Sequence, residues 1–127
     1  MIQEKFSIRK RLRSFRYAFS GIATLLRDEH NSRIHVFAMV CAIAAGFLLR
    51  ISPTEWCAVA LCCGAVLTAE AMNSAVEAIA DLVSPEFHPL VKKAKDVAAA
   101  GVLMTAIAAA AAGLIIFLPK LILNSKF

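Results

Sequence analysis

The sequence predicts an all-α membrane protein: three transmembrane helices preceded by an N-terminal amphipathic surface helix. Three observations carry this. The 127 residues are 60% hydrophobic and 18% charged, against roughly 45–50% and about 25% in soluble domains. A chain this short cannot hide so much apolar surface from water in a core of its own. The apolar residues also fall into three long runs, of the order of the roughly 20 residues that cross a bilayer.

The elements follow in order. From about residue 7 to 26, Ile8, Leu12, Phe15, Phe19, Ile22 and Leu26 recur at spacings of three and four while Arg9, Arg13 and Arg16 take other faces. This is the pattern of a helix lying in the membrane interface. The first span is expected over about 34–49, between Arg33 and Arg50, whose long stems can snorkel to the interfaces. Residues 51–55 read as a tight turn with Thr54 as N-cap and Trp56 as an interfacial anchor. The second span is expected over about 56–83. At 1.5 Å per residue that is about 42 Å, longer than the hydrocarbon layer of about 30 Å, so its C-terminal end should emerge into water. Ser84-Pro85 stops it, and Glu86 to Lys95 is read as a polar connection. The third span, about 97–118, is Ala-rich with Gly101 and Gly113, which permits close helix approach in lipid. Pro119 and Lys120 are expected to close it.

The net charge is +5, and eight of the fourteen basic residues precede the first apolar run. Basic residues placed there face anionic lipid, so nucleic acid is not expected as a partner. Lys92, Lys93 and Lys95 continue the asymmetry between the second and third spans. The positive-inside rule then orients the chain with its N-terminus in the cytoplasm and its C-terminus outside, with Lys120 and Lys126 as exceptions. The four cysteines lie within apolar runs and form no CxxC pair. They read as polarizable packing residues. No apolar stretch directly follows the basic N-terminus, so a cleaved signal peptide is not expected.

Charged residues inside a span cost about 2.5–3.5 kcal/mol each on insertion scales, so Glu70 and Glu77 must face protein, water or a ligand. Glu70, Asn73, Glu77 and Asp81 stand at helical offsets 0, 3, 7 and 11. Three carboxylates and one carboxamide thus line one face. Clustered carboxylates need a cation or a proton to be tolerated. Mg²⁺ suits them, because it is commonly held by one or two carboxylates together with substrate phosphates. A carboxylate at the acyl boundary can also act as general base for a lipid hydroxyl. Lys95 is placed to meet phosphate, and Asp96 either caps the last helix or orients Lys95. Two other readings stay open: an ion or proton pathway lined by acids, and acids that merely pair with basic residues of neighbouring helices.

The stretch Glu70-Ala-Met-Asn73-Ser74-Ala75-Val76-Glu77-Ala-Ile-Ala-Asp81 resembles the E-x-x-N-[ST]-A-[IV]-E-x-x-x-D signature of the prokaryotic diacylglycerol kinase family. Ala94-Lys95-Asp96-Val97-Ala98-Ala99-Ala100 is similar to its A-K-D-x-A-x-A signature, and Arg16-Tyr17-Ala18-Phe19-x-Gly21 with Glu29-x-Asn31-x-Arg33-Ile34-His35 resemble its N-terminal part. The likeness runs from about Phe15 to Leu118. No Walker A motif and no Gly-rich kinase loop occur, in keeping with a family unrelated to soluble kinases. The resemblance implies a single lipid kinase domain over residues 1–127, a homotrimer, in the bacterial inner (cytoplasmic) membrane, with active sites between subunits at the cytoplasmic face. It implies ATP as phosphoryl donor, Mg²⁺ as cofactor and a membrane lipid alcohol as acceptor. By position, Glu70 resembles the catalytic base and Asn73 a residue that orients the site. Glu29 and Glu77 resemble the metal ligands. Lys95, Asp96, Tyr17, Glu86 and His88 resemble nucleotide contacts, and Lys10 matches a basic nucleotide contact by register. Two acceptors occur in the family, undecaprenol and diacylglycerol. Residues 29–35 and 88–96 look more like the undecaprenol branch. A small oligomeric channel or scaffold is the non-enzyme alternative.

Overall fold

A computed structural model describes residues 5–125. Lys126 lies outside the described residues. The described chain is all helix and loop, in four elements: α1 (Ile8–Asp28), α2 (His30–Leu48), α3 (Pro53–Val83) and α4 (Pro89–Ser125). Helices α2, α3 and α4 are each long and apolar enough to cross a membrane, so three spans follow the N-terminal helix as the hydropathy pattern predicts.

The boundaries differ from the sequence reading in four places, each for a local reason. First, α2 begins at His30 rather than near Ile34, and a single extended residue, Glu29 (φ −111°, ψ 113°), separates it from α1. The junction is held by Arg33, whose Nε donates to Leu26 O at 2.9 Å and whose Nη2 donates to Arg27 O. A cation thereby satisfies the last carbonyls of α1, which have no partner within the helix.

Second, the N-cap of α3 is Ser52, not Thr54. Ser52 Oγ accepts from Glu55 N–H at 3.2 Å while Glu55 Oε1 accepts from Ser52 N–H at 3.0 Å. Pro53 takes the first helical position, where its missing N–H costs nothing. Third, α4 begins at Pro89, so Lys92, Lys93, Lys95 and Asp96 lie within the helix and not on a connection. His88 Nδ1 accepts from Leu90 N–H at 3.1 Å and supplies the cap expected of Asp96. Fourth, Pro119 does not close the last helix, which continues to Ser125. In lipid a helix that stopped would leave carbonyls without partners, so a proline that removes one bond is tolerated.

Helices α3 and α4 form an antiparallel hairpin whose register is marked at both ends by ion pairs, Glu55–Lys120 at 3.1 Å and Asp81–Lys95 at 2.6 Å. Helix α2 packs antiparallel on α3, and the last turns of α1 reach α2 and α3, where Leu25 is buried. The small core of Ile51, Val59 and Ile116, with Trp56 and Phe117 against it, sits at the end of the bundle remote from α1. Most other large apolar side chains are exposed, including Leu61, Met72 and Leu82 along α3. That is the surface of a chain whose solvent is lipid or another copy, not water.

Candidate active site

Three polar residues at the start of α2, its N-cap Glu29 and then Ser32 and His35, recur at a period of three. The extended conformation of Glu29 turns its carboxylate toward α3, where Glu29 Oε1 accepts from Ser74 Oγ at 3.1 Å. Ser32 is fully buried. His35 Nδ1 lies 2.7 Å from Glu70 Oε1. Because the two helices run antiparallel, Glu29 at the head of α2 meets Ser74 on α3 and His35 further along meets Glu70, with Ser32 on α2 between them. Glu70 is only 3% exposed.

This seam is poorly satisfied. Among the described residues, the buried side-chain oxygen and nitrogen atoms without a hydrogen-bond partner are Ser32 Oγ, His35 Nδ1, Glu70 Oε1 and Asn73 Oδ1. The His35–Glu70 contact is thus close in distance but lacks the alignment of a hydrogen bond. Buried polar atoms without partners cost about 1–3 kcal/mol each. A concentration of them at the level of two sequence-predicted site residues marks a place built for something other than stability.

His35 also lines a groove of about 290 Å³ between α2, α3 and α4. The groove runs past Met39, Val66, Ala109 and Gly113 to Phe117, and apart from two thiols His35 is its one hydrogen-bonding side chain. An apolar slot with one polar end next to a buried carboxylate matches an alcohol carried on a hydrocarbon chain.

A second, polar cleft of about 340 Å³ lies at the turn between α3 and α4. It gathers Glu86, His88, Lys95 and Asp96, four of the residues expected to meet nucleotide, together with Asp81. Here the expected pairing is corrected. Lys95 Nζ meets Asp81 Oδ1, and Asp96 is held by Lys92 one turn away rather than orienting Lys95. The acidic face of α3 is therefore divided between partners: Glu70 to His35, Asp81 to Lys95. To that extent the acids do pair with neighbouring helices.

Glu77 is half-buried on α3, between the seam and the cleft. Among the described residues no group of three His, Cys, Asp or Glu side chains gathers into a ready-made metal site. Two hard carboxylates such as Glu29 and Glu77 nevertheless fit a magnesium ion that takes its remaining oxygens from phosphates and water. Asp28, next to Glu29, is engaged by Arg27 Nε at 2.8 Å, and that hydrogen bond holds its carboxyl below the ordinary range. Tyr17 and Lys10 are not brought to the seam; both sit on the exposed N-terminal part of α1, with Tyr17 67% exposed.

Sequence reading passed over two residues. His35 entered only within a motif, and Ser32 was given no role. The available signal was their three-residue period with Glu29 at the start of an otherwise apolar helix.

The model of the family described as prokaryotic diacylglycerol kinase matches residues 16–117. The chain belongs to the prokaryotic diacylglycerol kinase family. It is 39% identical over 109 residues to an undecaprenol kinase of Bacillus subtilis (strain 168), covering 86% of this chain and 89% of that one. It is 40% identical over 110 residues to a diacylglycerol kinase of Synechocystis sp., covering 86% of this chain and 63% of that one. A diacylglycerol kinase of Pseudomonas aeruginosa is 39% identical over 84 residues, 66% of this chain and 68% of the relative. Membership makes this chain an enzyme, a membrane lipid kinase, and sets aside the channel or scaffold. The seam and the cleft both fall inside the residues the prokaryotic diacylglycerol kinase model matches.

Proposed function

We propose that the chain transfers the γ-phosphoryl group of ATP to the hydroxyl of a membrane lipid alcohol, and that the alcohol is undecaprenol. The observation that carries this is the buried Glu70 carboxylate, with an unpartnered oxygen, beside the polar end of an apolar groove. A hydroxyl arriving along the groove donates its proton to Glu70 as its oxygen bonds to phosphorus, and the bond from phosphorus to the leaving ADP oxygen breaks. Asn73 stands one turn from Glu70 to orient the reacting groups. Glu29 and Glu77 are the residues to hold Mg²⁺, which when bound neutralises phosphate charge. Lys95, Asp96, Glu86 and His88 line the cleft for the nucleotide. Such transfer asks little covalent chemistry of the protein and rests on position and charge.

The undecaprenol assignment is supported by the similarity to the Bacillus subtilis enzyme along nearly its whole length. The names of the other relatives favour diacylglycerol, and that is the second reading. The basic residues of α1 and of the start of α4 support a cytoplasmic active site in the inner membrane, with α1 along the surface. A homotrimer is supported by the exposed apolar side chains of α3 and by the position of Lys10 and Tyr17 away from their own chain's seam. Cross-linking in native membranes reads the subunit number.

The test is phosphate transfer by the purified protein in one detergent, with Mg-ATP and either undecaprenol or diacylglycerol. Faster transfer to undecaprenol is expected. Glu70→Gln should lower turnover by about 10²–10⁴-fold with little change in the KM for ATP. Transfer to neither lipid defeats the proposal, and near-normal turnover of Glu70→Gln defeats the base assignment.

A further inference from the structure

We propose that His35 is a positioning residue for the Glu70 carboxylate and thereby sets the rate of the transfer, an inference that rests on the kinase reading above. Glu70 is 3% exposed, so water does not hold its orientation. The cations nearby are committed elsewhere: Arg33 to the carbonyls of Leu26 and Arg27, Lys95 to Asp81, and Lys92 to Asp96. The side chain that meets Glu70 from another helix is His35, with Nδ1 at 2.7 Å.

The form of the contact matters. A carboxylate whose oxygens are fully hydrogen-bonded has little accepting capacity left for a substrate proton. His35 Nδ1 borders Glu70 Oε1 at 2.7 Å, so the imidazole limits where the carboxylate can turn, while the geometry is not that of an aligned hydrogen bond. Glu70 is therefore held in place and still able to accept. His35 is also part of the groove wall, so the group that steers the base touches the path by which the alcohol arrives. One turn along, Ser32 Oγ and Asn73 Oδ1 lie in the same seam, also without partners. They add no competing donor to Glu70.

A purely structural role for His35, offsetting a buried charge, makes different predictions. The experiment uses the full-length protein in detergent with Mg-ATP and undecaprenol, and in parallel with dioleoylglycerol, measuring kcat, both KM values and the thermal midpoint. His35→Leu should lose at least about 30-fold in kcat, with the KM for ATP within about twofold. His35→Asn places an amide nitrogen near the position of Nδ1 and should recover to within about fivefold of the unsubstituted enzyme. Combined with Glu70→Gln, His35→Leu should cost nothing further, because a residue acting through Glu70 has nothing left to position. Free imidazole should partly restore His35→Ala.

Turnover of His35→Leu within twofold of normal overturns the proposal. So do equal losses in the Leu and Asn variants, or a double variant whose losses multiply. Should His35→Leu not fold, His35→Asn and the imidazole titration decide alone: an Asn variant as slow as Glu70→Gln, without imidazole rescue of the Ala variant, overturns it. An unsubstituted protein that phosphorylates neither lipid removes the kinase reading itself. An active enzyme indifferent to His35 removes only this inference.

Discussion

The two ends of the α2–α3 pair are built to opposite rules. At the Trp56 end the polar groups are paired. Ser52 and Glu55 exchange hydrogen bonds across the first turn of α3, Glu55 Oε1 also meets Lys120, and Ile51 N–H closes on Gly46 O at 3.1 Å. The Phe47 and Trp56 ring centroids lie 4.8 Å apart, and Trp56 packs against the buried Ile51. At the Glu70 end the helices bury four polar side-chain atoms that have no hydrogen-bond partner. The same two helices thus carry a satisfied end that holds them and an unsatisfied end where the proposed reaction is placed. Stability and function are separated along the length of one helix pair, so they should respond separately to mutation.

The largest separation is expected at Gly46. A Cβ there would fall 2.7 Å from Trp56 Cη2, 2.9 Å from Trp56 Cζ2 and 3.1 Å from Ile51 Cδ1. The indole cannot retreat freely, because Phe47 packs against it. Gly46→Val should therefore cost about 2 kcal/mol by overpacking, seen as a lower thermal midpoint in detergent. Turnover at low temperature should stay within twofold, since Glu70 is at the other end. An unchanged midpoint would show that the helices have room at this end, and the contrast would lose its structural half.

The contrast explains what was legible beforehand. The spans were readable because apolar runs in lipid have no alternative to helix. That Glu70 turns away from lipid was readable because a carboxylate in such a run is too expensive to leave there. The start of α4 was not, because Pro89 and the charged residues after it look like a connection until His88 is seen accepting from Leu90 N–H. Lys95 was assigned to phosphate by its charge, but its meeting with Asp81 depends on α3–α4 register, which no single segment encodes. Ser32 and His35 failed to stand out for the same reason. A polar residue every third position along α2 acquires meaning only when α3 is laid against it.

Ser32→Ala sharpens the unsatisfied half. Its hydroxyl is wholly buried and makes no hydrogen bond. Removing a buried polar atom that has no partner should leave stability unchanged or raise it by about 1 kcal/mol. The hydroxyl nevertheless lies in the seam proposed to receive the acceptor alcohol. Losing one hydrogen bond made only with substrate in place should lower kcat by about tenfold. A gain in midpoint together with a loss in turnover would be the signature of a group kept for function. A loss in both would mean that Ser32 has a structural partner in the membrane, and the seam would then be less open than it looks.

The smallest effect, and the one whose sign is most informative, is at Arg50. It is the one non-glycine residue among those described with positive φ, 51°. It sits where α2 ends, just before the Ile51 N–H that closes on Gly46 O. An L-residue held there costs about 1–2 kcal/mol, whereas glycine adopts the conformation freely but gives up about 0.5–1 kcal/mol of chain entropy on folding. Arg50→Gly should thus raise stability by about 0.5 kcal/mol after the two terms offset. Arg50→Val, with a branched Cβ in a left-handed position, should lower it by about 1 kcal/mol. Opposite signs at one position, read from thermal midpoints with turnover unaffected, would mean the turn is rigid and that the Trp56 end holds the bundle through backbone geometry as well as packing. If both variants matched the parent, the turn would be adaptable, and the stability assigned to that end would reside in the Trp56–Gly46 contact alone.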